Sequence, residues 1–440
     1  MIGQEFQVHT FGCKVNTYDS GMLQKNLSTQ LGKLDSEKKI HVLNTCAVTA
    51  EATKEAVRLA RRIKANDPLA LVVVTGCAAQ VDTDSFSGLP GVDLVVANSH
   101  KGMLSEIIKD FYKGKDQKVF KSNIFRKDDL EAGFGLEGEH TRSFLKIQDG
   151  CNSFCSYCVI PYARGKSRSL SIDSLVKRVQ EISDSGIKEV VLTGIHIADY
   201  QDETRKENNV LEDLVENVLK RTQIARIRLS SLEPKEVSSR LLEIYQDERI
   251  CKHFHMSIQS ANTKVLTDMK RRYNQQDVIE SLNQIQSRLG NVFIGMDVIV
   301  GFPTESESDF EDTYKVLCET PWTRIHVFPY SERPGTKATS LIETVPWEER
   351  KKRAQLLRQL SSTRFQTVAL QQIGLHKKVL ILNKDSKNSQ GLSSDFWPVE
   401  ISDKEYVENN RGKEVIVKVD KFKPYENLNN EGVLHAVQLS

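Results

Sequence analysis

Asp149-Gly150-Cys151-Asn152-Ser153-Phe154-Cys155-Ser156-Tyr157-Cys158 holds three cysteines in a C-x3-C-x2-C run. Cysteine thiolates are the usual ligands of iron–sulfur clusters, and a [4Fe–4S] cluster takes four. Three on one tight loop leave one iron without a protein ligand, so a small molecule can coordinate there. A zinc site calls for four ligands and C-x2-C pairs, and no cysteine or histidine follows closely enough to complete one. A disulfide framework belongs to small domains in oxidising compartments. Phe144-Leu145-Lys146-Ile147-Gln148, just upstream, reads as the strand that delivers the loop.

The 440 residues suffice for two to four domains. Apolar residues make up 39% and charged residues 27%, the composition of a globular chain, and the net charge of +2 confines any basic surface to a local patch. Met1-Ile2-Gly3-Gln4-Glu5-Phe6 has neither a basic nor an apolar leader region, and no apolar run has the length of a membrane span. Eight cysteines then favour reduced thiols in metal or redox use, and a cytoplasmic location.

Residues 1–125 alternate strands and helices, giving a doubly wound α/β domain. Strand-like stretches are Phe6 to Thr10, Ile40 to Asn44, Leu71 to Thr75 and Asp93 to Ala97. Ala52, Ala56, Ala60 and Ile63 form an apolar helical stripe, with Lys54, Arg58, Arg61, Arg62 and Lys64 mostly off it. Those cations are either a solvated face or the flank of an RNA-binding surface. Cys46 lies 33 residues after Cys13, and Cys77 lies 31 after Cys46. One βαβ unit is about that long, so all three thiols fall just past the carboxyl ends of parallel strands, where ligands gather in open α/β sheets. They read as a second three-cysteine site, the alternative being buried structural cysteines. The polar stretch from 112 to 141 reads as a connection.

Residues 137–370 repeat strand and helix. Strands are expected at Glu189 to Thr193, Arg226 to Ser230, His253 to Ile258, Phe293 to Val300 and Arg324 to Tyr330. With the strand at Phe144 these make six, a partial (β/α)6 barrel whose active site belongs at the carboxyl ends. The rim residues there are Thr193, Gly194, Ser230, Glu233, Gln259 and Gly301, joined by Tyr157 on the cluster loop. Each is equally a turn or strand-end residue taken singly. From the basic run Lys270-Arg271-Arg272, Arg272 is taken as the residue that grips a carboxylate. Cys251 and Cys318 lie off the rim and read as packing residues. Trp347 to Ile373 is a long helical pattern ending at Gly374.

Residues 371–440 change to alternation, with strands at Lys378 to Leu382, Glu414 to Val419 and Gly432 to Val437. A small antiparallel β-barrel results, a fold that often binds oligonucleotides. Arg411 to Lys423 holds five basic residues against two acidic, with Phe422 and Tyr425 beside them for base stacking.

The two cysteine sets and three domains together resemble the radical S-adenosylmethionine (SAM) methylthiotransferases. The resemblance spans essentially the whole chain: an N-terminal methylthiotransferase domain, a radical-SAM domain and a C-terminal TRAM domain. It implies two [4Fe–4S] clusters, one on Cys151, Cys155 and Cys158 that binds and cleaves SAM, and an auxiliary one on Cys13, Cys46 and Cys77. It further implies an external electron donor and a sulfur source. Gly12-Cys13-Lys14-Val15-Asn16 is similar to the branch called MtaB, which converts N6-threonylcarbamoyladenosine beside the tRNA anticodon to its 2-methylthio form. The MiaB branch, acting on isopentenyladenosine, more often has Gln-Met there, and the RimO branch, acting on a ribosomal-protein aspartate, Pro-Lys. Gln259-Ser260-Ala261-Asn262 departs from the family, which usually has Gly after the Ser; that puts the backbone at Ala261 in question. The resemblance assigns no catalytic side chain. An iron–sulfur electron carrier fused to an RNA-binding domain is the reading of another class, and it leaves the polar rim without a purpose.

Overall fold

Five parallel strands build the N-terminal sheet: β1 (Phe6–Thr10), β2 (Ile40–Thr45), β3 (Leu71–Gly76), β4 (Leu94–Ala97) and β5 (Val119–Phe120), in that spatial order. The computed structural model describes residues 5–31, 38–127, 130, 141–342, 344–386, 389–425 and 431–438. The N-terminal residues 1–4 and the expected domain start at 137 lie outside them. β3 is buried along its whole length, which is why its sequence is an unbroken apolar run. Helices Lys14–Leu31 and Leu104–Tyr112 cover one face through Leu23, Leu27, Ile107 and Ile108. Helix Ala50–Asn66 covers the other through Ala56, Ala60 and Ile63, the predicted stripe, and leaves Lys54, Arg58, Arg61 and Arg62 exposed. β5 lies inside the stretch read as a connection; two residues carry no periodic signal.

The central domain is the expected partial barrel. β6 (Arg142–Lys146) leads into the two-residue strand β7 (Gln148–Asp149), which pairs with β8 (Arg168–Ser169). β9 (Glu189–Thr193) pairs with β6 and with β10 (Arg226–Leu229), all parallel. β11 (His253–Gln259), β12 (Phe293–Val300) and β13 (Arg324–Pro329) form a second parallel trio. Two isolated parallel bridges, Ile227 to Ile250 and Leu232 to Met256, join the trios into one curved wall.

Helix Trp347–Leu370 runs from this wall to the C-terminal domain, where Phe365 and Ala369 enter the core. Five strands close that domain into a barrel: β14 (His376–Ser386), β15 (Ser389–Ser393), β16 (Pro398–Ile401), β17 (Glu414–Pro424) and β18 (Gly432–Gln438). The expected barrel is present, but one pair, β16 with β18, is parallel. β15 and β16 are short and show no clean alternation, so only three strands were legible. Phe396 and Trp397 plug the underside of the central barrel: Phe396 stacks on His253 at 4.0 Å between centroids, and Arg228 lies 4.9 Å from its ring. Arg226 and Arg228 hold the buried Glu189 and reach the carbonyls of Leu392 and Ser393. Cys251 is buried as expected; Cys318 is exposed, because it sits on the outer side of helix Glu307–Glu319.

Candidate active site between two cysteine sets

Cys46 and Cys77 directly follow β2 and β3, and Cys13 follows β1 after a short loop, all at the carboxyl edge of the sheet. Two glycines let these loops nest. Gly12 has φ of 93°, and a Cβ there would lie 2.6 Å from Cys46 Sγ; Gly76 has φ of 97°, and its Cβ would lie 2.4 Å from the Thr45 carbonyl. Burial pushes the Cys46 thiol up to about 11, and the neighbouring Cys77 and Cys13 sulfurs add to that rise. Val48 N donates to Cys46 Sγ at 3.4 Å, and Asn98 Nδ2 to Cys77 Sγ at 3.7 Å. Three thiols at one sheet edge, two of them with N–H donors aimed at the sulfur, fit an iron–sulfur cluster, whose metal keeps thiolates deprotonated.

The second set lies on the loop after β7. Gly150, at φ of 76°, passes so close to the returning chain that a Cβ would sit 1.9 Å from the Lys166 carbonyl oxygen. Cys151 N donates to Gly165 O at 3.1 Å, pinning the loop start, and Ser153 N donates to Cys151 Sγ at 3.4 Å. Burial pushes the Cys158 thiol up to about 12, with Cys155 and Cys151 contributing. Burial also works against the Cys151 thiolate, but bonds from His196 and Ser153 outweigh it and lower its pKa. Arg271 Nη1 donates to Cys155 Sγ at 3.2 Å, setting a cation against the thiolates. This donor set also fits a cluster.

A cleft of about 320 Å³ opens against the second set; Cys13, Cys46 and Cys77 do not line it, and it reaches their domain at the loop beyond Cys46. Cys151, Cys155 and Cys158 form one wall, Val48 and Thr49 of the loop beyond Cys46 another, and the barrel rim the rest. Of the expected rim residues, Tyr157, Glu233 and Gln259 line it. Thr193 and Ser230 are buried and do not line it; Gly194 does not line it either, and a Cβ there would meet Gln148 Oε1 at 2.9 Å. Gly301, also outside the lining, is covered by Arg350 and donates its N–H to Glu305. Arg272 is exposed; Arg271 faces the cleft instead. Lys270 has φ of 59°, and that reversal turns Arg271 inward. At the Gln259-Ser260-Ala261-Asn262 loop the left-handed residue is Gln259, φ 60°, at a bulge in β11, and Ala261 does not take a positive φ.

Arg271 organises the cleft floor. It contacts Glu233 Oε1 at 3.0 Å, Tyr273 Oη at 2.8 Å and Ser257 O at 2.7 Å. Burial pushes the Glu233 carboxyl up even so. His196, on the loop after β9, was not foreseen. Burial disfavours its cation, but bonds to Asp199, Cys151 and Glu236 raise its pKa. Only its place two residues past the Thr193-Gly194 strand end could have flagged it. Arg333, from the loop after β13, also faces the cleft and donates to Val48 O at 3.1 Å, tying barrel rim to N-terminal domain.

A buried charge cluster joins the two cysteine loops from behind. Asp19 meets Lys146 at 2.6 Å, Lys101 at 3.1 Å and Arg164 at 3.2 Å; Arg164 also bonds Asp149 at 2.9 Å and Asn16 at 2.6 Å. In the C-terminal barrel, Phe422 packs on Phe365, 6.2 Å between centroids, so its ring faces the core and not a base. Lys413, Lys418, Lys421 and Lys423 of the predicted patch are exposed.

Comparison with known proteins gives consistent findings. The radical SAM superfamily pattern matches residues 145–317, and that of an uncharacterized protein family, UPF0004, matches residues 5–97. The chain is 38% identical over 383 residues to the threonylcarbamoyladenosine tRNA methylthiotransferase MtaB of Aquifex aeolicus (strain VF5), covering 86% of this chain and 92% of that one. It is 36% identical over 399 residues to the protein of the same name from Rickettsia prowazekii (strain Madrid E), covering 90% and 91%. Among solved structures, the radical SAM methyltransferase TsrM from Kitasatospora setae, with cobalamin and a [4Fe–4S] cluster bound, superposes with a TM-score of 0.56 at 12% identity over 77% of each chain, a likeness of fold.

Proposed function

The chain belongs to the radical-SAM tRNA methylthiotransferases, enzymes that use SAM and [4Fe–4S] clusters, and we propose that it acts on N6-threonylcarbamoyladenosine beside the anticodon, placing a methylthio group on C2. The observation that carries this reading is the cleft itself: one 320 Å³ space is walled by both cysteine-bearing loops. A sulfur held on one side and a radical generated on the other then meet the same base. An electron carrier would need no such space. Both relatives named above carry threonylcarbamoyladenosine in their names, which supports that nucleoside over isopentenyladenosine.

In this reading Cys151, Cys155 and Cys158 hold the SAM-cleaving cluster, and Cys13, Cys46 and Cys77 the auxiliary one. When bound, the first cluster and SAM supply a radical able to take hydrogen from the target carbon, with electrons from an external donor, and the second site presents sulfur from a separate source. The protein's own groups do the rest. Arg271 balances the thiolate of Cys155 and holds Glu233 toward the cleft, where that carboxyl accepts hydrogen bonds from the polar end of SAM. Tyr157, half-buried against the apolar cluster that holds Met269 and Tyr330, closes one side of the pocket. Gln259, turned by its left-handed backbone, presents its amide to the ligand. Arg333 fixes the loop after β2, and so the distance between the two sulfur-bearing walls. The exposed lysines of β17 meet the tRNA backbone.

Nucleoside mass spectrometry of tRNA from a host lacking its own methylthiotransferases, with and without this protein, tests the proposal. Appearance of 2-methylthio-threonylcarbamoyladenosine is the expected result. The isopentenyl product instead overturns the substrate, and neither product from cluster-loaded protein removes the tRNA nucleoside from consideration.

A further inference from the structure

Three aromatic rings from three separate segments meet just outside the cleft. Phe125 comes from the stretch after β5, Phe154 from the cluster loop, and Tyr162 from helix Ile160–Arg164. Phe154 lies nearly parallel to Phe125, 17° apart with centroids at 6.2 Å. Tyr162 stands edge-on to both at 6.1 Å. A cluster assembled only for packing buries its rings, yet Phe154 is 40% exposed and Tyr162 45%. Phe154 also sits in the left-handed region, φ 48°, a conformation that costs a non-glycine residue energy and gathers at functional loops. The backbone therefore accepts strain to hold an aromatic ring toward solvent.

The location says what the rings face. Ser153 and Ile160, next to Phe154 and near Tyr162 in the chain, line the cleft, so the rings stand on its rim. Lys121, Arg126 and Lys166 on these same segments are exposed, and their side chains make no hydrogen bond or ion pair among the described residues. Exposed rings flanked by unengaged cations are the makings of a single-stranded nucleic-acid site: rings stack bases, cations meet phosphates. A base drawn out of an anticodon loop into the cleft leaves its neighbour with one stacking face uncovered.

We propose that Phe154, backed by Phe125 and flanked by Tyr162, is the stacking platform for the nucleotide adjacent to the modified adenosine, with Lys121, Arg126 and Lys166 on its phosphates. This rests on tRNA being the substrate. The probe is an anticodon stem-loop carrying 2-aminopurine beside the target adenosine, titrated with cluster-loaded full-length protein. Wild type quenches the fluorophore; Phe154→Ala and Tyr162→Ala, with iron content equal to wild type, bind roughly tenfold to a hundredfold more weakly and lose the quenching, and Phe154→Trp restores both. Undiminished affinity and quenching in both alanine variants overturns the proposal. So does recovery of quenching by Phe154→Leu, which supplies bulk without a π face. If wild-type protein binds no stem-loop, the tRNA reading itself fails and the platform with it.

Discussion

Gly150→Ala is the sharpest test of how the C-x3-C-x2-C loop is held. Alanine at φ of 76° costs about 1–2 kcal/mol in any setting. Here the added Cβ would also lie 1.9 Å from Lys166 O, 2.5 Å from Lys166 C and 2.7 Å from Gly165 O, where ordinary contact begins near 3.4 Å. All three atoms are backbone, so no rotamer relieves the clash. The hairpin beneath has only two residue pairs, Gln148 with Ser169 and Asp149 with Arg168. The cheapest relief separates its arms and breaks the bond from Cys151 N to Gly165 O. Such crowding adds about 1–3 kcal/mol, so the loop loses roughly 2–5 kcal/mol, a weakening of cluster binding by about thirtyfold or more. Gly186→Ala is the control: its φ of 90° is as unfavourable, but nothing lies within 4 Å. Iron assay after anaerobic reconstitution should fall from roughly eight to roughly four per chain in Gly150→Ala and stay at roughly eight in Gly186→Ala. Reductive SAM cleavage should disappear with the lost iron. Full iron and full SAM cleavage in Gly150→Ala would refute the reasoning.

Substituting Cys13, Cys46 and Cys77 together by alanine should leave SAM cleavage intact while methylthiolation of tRNA stops; loss of all iron would sink the two-site arrangement. Arg271→Gln strips Glu233 and Cys155 of their cation, and isothermal titration should show SAM affinity reduced about tenfold or more, since a hydrogen bond to a charged group is worth about 1.5–3 kcal/mol. His253 is buried and stacked on Phe396, and burial, then the Arg228 and Lys14 charges, hold its pKa well below 6.5. The unfolded chain therefore takes up this proton first, so stability is present above about pH 6.5 and falls as pH drops below it; His253→Phe should flatten that part of the melting-temperature profile. Glu at Lys418, Lys421 and Lys423 should lower the slope of log affinity for tRNA against log salt by roughly one per lysine; an unchanged slope would place the RNA elsewhere.

What the sequence made legible was local and periodic. The thiols of Cys13, Cys46 and Cys77 share an edge because one βαβ unit separates each from the next, and spacing is visible in one dimension. Side-chain direction after a reversal is not. Lys270, Arg271 and Arg272 are equivalent on paper, and only the left-handed turn at Lys270 sends Arg271 into the cleft and Arg272 to solvent. Thr193, Ser230 and Gly301 do stand at strand ends, yet none of them lines the cleft; Ser257, Asp297 and Ile299, from within the strands, do. β16 and β18 pair in parallel although they are far apart in the chain, and alternation carries no information on strand direction.

The charge cluster behind the two sites was least legible, and it explains why the domains meet as they do. Its partners lie far apart in the chain: Asp19 with Lys146, Asn16 with Arg164. Taken singly, Asp19, Lys146 and Arg164 read as ordinary surface charges and Asn16 as a polar loop residue. Three cations, Lys101, Lys146 and Arg164, converge on two carboxylates, Asp19 and Asp149. The surplus positive charge sits beside the auxiliary cysteines, and Arg164 is stabilised by the sulfurs of Cys77 and Cys13 as well as by Asp149. Breaking a buried pair strands its partner at a cost of about 3–5 kcal/mol, so the network penalises any separation of helix Lys14–Leu31 from the cluster loop. The buried charges behind the two cysteine sets and the Arg333 bond to Val48 at the rim therefore hold the gap together, with the cleft left open in front.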